Sequence, residues 1–307
     1  MSTFMLKIPD SLRDSTICLT GFTGYVGRHL LNSLIAAGIR PFLIPRRGSS
    51  GVSTQGADCA TAWTHAGELA EQLGRFKDPV VINLAGHFIS AHQPTDIEPL
   101  VAGNLGFPVM ILDALVAAGH RRIVNVGTTW EFSDTGAPVP RNLYGQLKAT
   151  NAQTLEWYAT RAPLQAINLK LNDTFGGEDP RAKLLPLLKR HWIEGKPLQL
   201  RSWAQLINLL HITDVQDGLL AAAERTALLA PHTVETALLL AEETTRLGEI
   251  VDRLTNEIAP GLAVDFSDRS PENAALSGVW TSGPRLKNWS PRVSLEAGLR
   301  DYFKVDA

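Results

Sequence analysis

Ser15-Thr-Ile-Cys-Leu-Thr20 runs without a break into Gly21-Phe22-Thr23-Gly24-Tyr25-Val26-Gly27, and the reading of this stretch decides the fold. STICLT has the length and apolar character of a buried strand. After the glycines, Val26, Leu30, Leu31, Leu34 and Ile35 recur at helical spacing until Gly38 supplies a stop. A strand feeding a helix in this way leaves free N–H groups and the positive end of the helix dipole at the mouth of the turn. The glycines permit a tight turn and close backbone approach, which suits the pyrophosphate of a dinucleotide. Glycine answers many strand-to-helix turns that need φ > 0, so it is the position behind an N-terminal strand that carries the reading.

The alternation continues outward from this unit. Phe42–Ile44, Val80–Leu84 and Ile123–Val126 are strand-like, and a helix carrying Val109, Leu112, Leu115 and Val116 lies between the last two. Ala166–Leu171 is a further strand ahead of the Gly176-Gly177 turn. Strands alternating with helices predict an α/β protein with a Rossmann-type doubly wound parallel sheet. Pro180, Pro186 and Pro197 then interrupt the pattern, QLINLLHITDVQDGLLAAAE at 205–224 restores strand-then-helix order, and the remainder is mixed. The expected division is a dinucleotide-binding domain from 1–171 and 205–228, with a smaller discontinuous C-terminal substrate lobe from 172–204 and 229–307.

Bulk properties remove several function classes. A net charge of −2 over 307 residues gives no general footprint for nucleic acid or anionic lipid. No uninterrupted apolar run approaches the roughly 18 residues of a membrane span, and no basic-then-apolar leader opens the chain. Cys18 and Cys59 make no disulfide framework, and no His/Cys/Asp/Glu group has metal-ligand spacing, so no metal is expected. Reduced thiols and a cytoplasmic location are the expectation.

The end of the second strand bears on cofactor choice. An acid there would hold a ribose 2′-hydroxyl, whereas arginine accommodates a 2′-phosphate. PFLIPRRGSS has Arg46 and Arg47 and no acid, so NADP(H) is preferred and NAD(H) is the alternative. A solvated basic loop would look the same. Further on, Tyr144 and Lys148 in NLYGQLK are four apart, which sets them on one helix face about 6 Å apart in rise. A free tyrosine is a poor acid–base catalyst near neutral pH; a neighbouring ammonium and an oxidised nicotinamide both favour the phenolate. Thr128, in VGTTW, follows a strand, where its hydroxyl can hold a carbonyl oxygen.

GFTGYVG, NLAG at 83–86, Asn104, GTTW at 127–130 and YGQLK at 144–148 together resemble the extended short-chain dehydrogenase/reductases of the NAD-dependent epimerase/dehydratase family. HITDV at 211–215 and WSPRVSLEAGL at 289–299 extend the likeness over nearly the whole chain. The resemblance implies a sugar-nucleotide oxidoreductase, a small-molecule nucleotide-sugar substrate and a homodimer formed through a four-helix bundle. It implies Tyr144 as proton donor or acceptor, Lys148 as ribose ligand and tuner of the tyrosine, and Thr128 as carbonyl partner. The implied cofactor contacts are Gly21, Thr23, Gly24, Tyr25, Val26, Gly27, Arg46, Arg47, Leu84, Ala85, Gly86, Asn104, Tyr144, Lys148 and Leu171. His87, Thr129, Asn172, Arg181 and Lys183 are the candidate substrate contacts, although His87 can equally cap a helix start and Arg181 and Lys183 can equally be solvated.

Departures from the family narrow the chemistry. The 4,6-dehydratases follow the catalytic threonine with an Asp-Glu pair; here those positions hold Thr129 and Trp130. GTTW, NLYGQLK and LNDTFGGEDPRAKLL at 171–185 are most similar to the CDP-abequose and CDP-paratose synthases, which reduce a 4-keto group with NADPH. Where many members carry an arginine for the substrate diphosphate, this chain has Ile207. A C4 epimerase with retained NAD(P) is the alternative enzyme, and a silent cofactor-sensing protein the alternative of another class.

Overall fold

The computed structural model describes residues 6–46, 55–270 and 279–304. The N-terminal half alternates as expected. Strands β1 (Ile17–Thr20), β2 (Phe42–Ile44), β3 (Asp58–Cys59), β4 (Val80–Asn83), β5 (Arg122–Thr128) and β6 (Gln165–Leu171) are connected through helices α1 (Tyr25–Ala36), α2 (Ala66–Leu73), α3 (Ile97–Val101), α4 (Phe107–Ala117) and α5 (Leu143–Ala159). A π-helical turn, Ala102–Gly106, joins α3 to α4.

With a seventh strand, β11 (Thr233–Leu239), these strands form one sheet in the order β11-β6-β5-β4-β1-β2-β3. All its pairs are parallel. Alternate side chains feed two cores. Ile17, Leu19, Ile82 and Val124 meet Leu30, Leu31 and Leu34 of α1 and Val215 and Leu219 of α7 (Ile212–Thr226). Cys18, Phe42, Val81 and Ile123 meet α2, α4 and α5 on the other face. Period-two alternation within strands buried on both faces is the signature of a doubly wound sheet.

The sequence reading placed 229–307 wholly in the lobe, but Thr233–Leu239 is the outer strand of the main sheet, paired along its length with β6. TVETALL has a half-buried polar first half, as an outer strand tolerates, and that hid it.

The smaller lobe is built from short pieces: β7 (Asp173–Phe175), α6 (Leu184–Glu194), β8 (Leu198–Ser202), β9 (Leu206–Ile207), β10 (Leu209–His211), β12 (Thr245–Arg246), α8 (Leu247–Arg253), β13 (Val264–Asp268) and α9 (Leu295–Tyr302). Phe175, Leu188, Ile207, Ile250, Phe266 and Phe303 form its own core. One helical stretch, Pro94–Ala117, has 24 residues; an 18-residue portion of it reaches a mean hydropathy of 1.8, and half of that portion is buried against the molecule. It passes by length and composition a test that the sequence reading held no segment to pass; its acids Asp96, Glu98 and Asp113 broke the apolar run.

Candidate active site

The order of strands reverses at β1, so the crevice opens beyond the carboxyl ends of β1 and β4, where doubly wound sheets bind ligands. Gly21 has φ +64° there, and a Cβ on it would lie 2.5 Å from the Leu84 carbonyl carbon. Both the conformation and the close approach require glycine. The Gly24 amide closes the turn on the Gly21 carbonyl at 3.0 Å. Gly27 lets the first turn of α1 lie directly on the Gly21 and Phe22 backbone. The first turn has neither a side-chain cap nor an acid, so its N–H groups face the cleft unneutralised. Gly21, Gly24, Tyr25, Val26, Gly27, Leu84 and Gly86 line that cleft, and this cradle fits a dinucleotide pyrophosphate.

Thr23 is exposed in the turn but is not among the lining residues. Tyr25 lines the cleft, yet its hydroxyl donates to the Gly176 carbonyl at 2.7 Å and its ring lies 3.7 Å beneath the Arg181 guanidinium. It ties the lobe to α1. Arg46 is exposed just past β2, and its Nη1 lies 3.0 Å from where a Gly103 Cβ would sit, reaching across the crevice edge. Arg47 lies outside the described residues.

On the opposite wall, β5 ends at Thr128, which is its last residue rather than just beyond it. Thr128 then caps the 3-10 turn Thr129–Glu131: its hydroxyl accepts from Trp130 N at 3.3 Å, and Glu131 accepts from Thr128 N at 2.8 Å. Asn142 caps α5 by accepting from Gly145 N at 2.9 Å, which fixes the helix turn bearing Tyr144. The Tyr144 hydroxyl is hydrogen-bonded to the Thr128 side chain. One turn on, Lys148 Nζ donates to the carbonyls of Ala85 at 2.9 Å and Val126 at 3.0 Å. Thr128, Tyr144 and Lys148 line the same cleft as the glycine turn.

The electrostatics differ from the sequence expectation. Burial raises the Tyr144 hydroxyl well above its ordinary pKa, the Glu131 carboxylate adds to this, and the Thr128 hydrogen bond opposes it. Lys148, aimed at two carbonyls, is not among the influences that lower it. The phenol therefore keeps its proton in the cofactor-free protein. Burial brings Lys148 down to about 8, against the Glu131 carboxylate, which raises it, while Lys170 lowers it further.

Asn104 does not line the cleft. It is fully buried in the π-helical turn, where its amide donates to the carbonyls of His87 at 2.8 Å and Leu100 at 3.0 Å and accepts from His87 N at 3.1 Å. These bonds tie the His87 backbone to the helical turn. His87 is held through its backbone, and neither it nor Ala85 is among the lining residues; Leu171 is. Beneath the cleft, Thr20, Asn83, Asn125 and Asn168 form a buried side-chain chain across β1, β4, β5 and β6, with links of 2.7, 3.0 and 3.3 Å.

Toward the lobe, Phe88 packs edge-on to both Tyr144 and Trp130, with ring centroids 5.1 and 5.3 Å apart. Lys183 Nζ sits 3.8 Å from the Phe88 ring centroid and 3.4 Å from Asp173. Arg181 also lines the cleft, with its guanidinium donating twice to Asp179 at 2.7 Å and once to the Thr174 carbonyl at 2.8 Å. Thr129 is buried and donates to Asn172 Oδ1, leaving the buried Asn172 Nδ2 without a partner at the cleft wall. Asp173, Thr174 and Lys183 also line a second cavity, of about 260 Å³, with Arg201, Gln205 and Ile207. Sequence reasoning did not name Phe88, Asp173, Thr174 or Arg201, which only the folded chain brings together.

The profile of the NAD dependent epimerase/dehydratase family matches residues 17–236, from β1 to the middle of β11. The chain belongs to that family. This member is similar to the CDP-abequose synthase of Yersinia pseudotuberculosis, 31% identical over 205 residues that cover 66% of this chain and 71% of that protein. UDP-glucose 4-epimerase 2 of Oryza sativa subsp. japonica is 22% identical, over 96% of this chain and 82% of that one. Among solved structures, UDP-glucose 4-epimerase from Brucella ovis in complex with NAD superposes with a TM-score of 0.77 at 17% identity. That match covers 94% of this chain and 96% of that one, and it speaks to the fold. The protein is an NAD(P)-dependent enzyme of the extended short-chain dehydrogenase/reductase type.

Proposed function

We propose that this enzyme uses NADPH to reduce the 4-keto group of a nucleotide-linked deoxyhexose, with CDP as the nucleotide. The observation that carries the reading is the Tyr144 hydroxyl, held on Thr128 above Lys148, in a cleft that runs from the glycine turn to the lobe cavity. Bound NADPH would supply a hydride to the keto carbon. Tyr144, protonated because its surroundings disfavour the phenolate, gives its proton to the carbonyl oxygen, and Thr128 stabilises the charge developing there. Lys148 holds the cofactor ribose from the cleft floor. Arg46 and the lack of an acid beside it support NADPH, and the relative from Yersinia supports CDP.

At the other end, Lys183 would meet the substrate diphosphate in place of an arginine at 207, with Arg201 further into the lobe and Asn172 on the cleft wall. The dinucleotide-binding and substrate-binding units are those expected above, with β11 moved to the former. Ile97, Val101 and Trp157 are exposed on α3 and α5, which supports a homodimer through these helices. A cytoplasmic location remains the reading.

CDP-, dTDP-, GDP- and UDP-linked 4-keto-6-deoxyhexoses, followed by NADPH absorbance, test the proposal. One NADPH should disappear per product, most efficiently with CDP. An epimerase would turn substrate over without net loss. Tyr144→Phe should lower kcat by about a thousandfold and leave NADPH binding within about threefold. Near-wild-type reduction by that variant would remove the mechanism.

A further inference from the structure

Two charges lie buried directly behind the catalytic wall. Glu131 and Lys170, 2% and 1% exposed at their side chains, form an ion pair between the turn after β5 and strand β6. They do not face the cleft. Glu131 uses its second oxygen to accept from Thr128 N at 2.8 Å, so the pair is joined to the backbone of the residue whose hydroxyl meets Tyr144. Gly127 makes room for it: a Cβ there would collide with Glu131 Oε1 and sit 2.9 Å from Lys170 Nζ. The Lys170 ammonium also lies 5.8 Å from the Phe132 ring centroid. An ion pair buried this completely is weak support for stability, because desolvation offsets most of its attraction. Its placement calls for another explanation.

We propose that Glu131 is a positioning residue for the reaction: with Lys170 as counter-ion, it fixes the Thr128 turn against Tyr144 and sets a negative charge behind the end of β5, whose Val126 carbonyl holds Lys148. Lys148 has no carboxylate of its own, since both its hydrogen bonds go to backbone carbonyls. Its charged influences are Glu131, which favours the ammonium, and Lys170, which opposes it. Tyr144 is also faced by Asp173 of β7, and Lys170 by Glu156 of α5. Burial lowers the Lys148 pKa; Glu131 counters that without entering the site.

The role builds on the reduction proposed above, so its test reads NADPH binding, which needs no sugar. The dissociation constant is measured by NADPH fluorescence between about pH 6 and 10, where affinity should fall as Lys148 loses its proton, near pH 8. Glu131→Gln removes the favourable charge and leaves Lys170, so the alkaline fall should move down by about one pH unit. Lys170→Met should move it up. The double variant, which leaves no unpaired charge in the interior should either single variant fail to fold, should lie between wild type and Glu131→Gln. In turnover, Glu131→Gln should lower kcat more than it alters KM. Coincident alkaline limbs in all folded variants would overturn the positioning role, even if their melting temperatures differ. Wild-type protein that binds neither NADPH nor NADH would instead remove the reduction reading and this role together.

Discussion

The two ends of the cleft are built by different means. At the cofactor end recognition belongs to the backbone: Gly21, Gly24 and Gly27 bring main-chain N–H groups and a helix end to one point, and few side chains take part. At the lobe end the cavity walls offer side chains, Lys183, Arg201, Gln205 and Asn172, carried on strands of two to five residues and the loops between them. A backbone site tolerates almost no change at its glycines, because the conformation itself is the ligand. A side-chain site can move its charge from one position to another, and here Ile207 is buried and uncharged while Lys183 lines the cleft. Within one fold the first end fixes the class of cofactor and the second is free to choose the substrate.

The sharpest way to break this contrast is Gly21→Ala. A Cβ at φ +64° and 2.5 Å from the Leu84 carbonyl carbon must displace main chain. Left-handed strain of about 1–2 kcal/mol plus that clash should weaken NADPH binding by about a hundredfold. CDP binding at the lobe, measured by calorimetry, should stay within about twofold. If CDP binding fell in parallel, the two ends would be one cooperative unit and the contrast would fail.

Lys183→Ala is the converse. Removing one charge-assisted contact to a diphosphate, worth about 1.5 kcal/mol or more, should raise KM for the nucleotide sugar about tenfold or somewhat more. NADPH affinity and kcat should change little. A matching change from Arg181→Ala is not expected to have this signature: Arg181 is held by Asp179 and Tyr25, so its loss should appear in melting temperature before KM.

The same contrast explains what the sequence disclosed. Gly21–Gly27 is one continuous segment, and Tyr144 and Lys148 are one helical turn apart, so local spacing alone places them. The alternating strands disclosed the sheet for the same reason. The lobe end was legible only in fragments, because Phe88, Trp130 and Lys183 meet across three separate stretches of chain. Glu131 and Lys170 are 39 residues apart and look like ordinary surface charges until burial is known. Asn104 was assigned to the cofactor because the family motif names it; sequence does not say whether an amide faces a cleft or holds the loop beside it. A Lys148 effect on Tyr144 does not appear in the cofactor-free protein, because spacing gives proximity but not direction, and the ammonium points at carbonyls.

Arg46 is an exposed side chain at the cofactor end, and it should respond as the lobe end does. It is exposed and has no ion-pair partner among the described residues, so a 2′-phosphate would compete with solvent alone. An exposed charge pair is screened by water and salt, and the effect should be the smallest of this series. Arg46→Ala should weaken NADPH binding by about fivefold and leave NADH binding unchanged, with the difference shrinking as ionic strength rises. Equal losses for both cofactors would mean that Arg46 supports the crevice edge near Gly103 and does not read the phosphate.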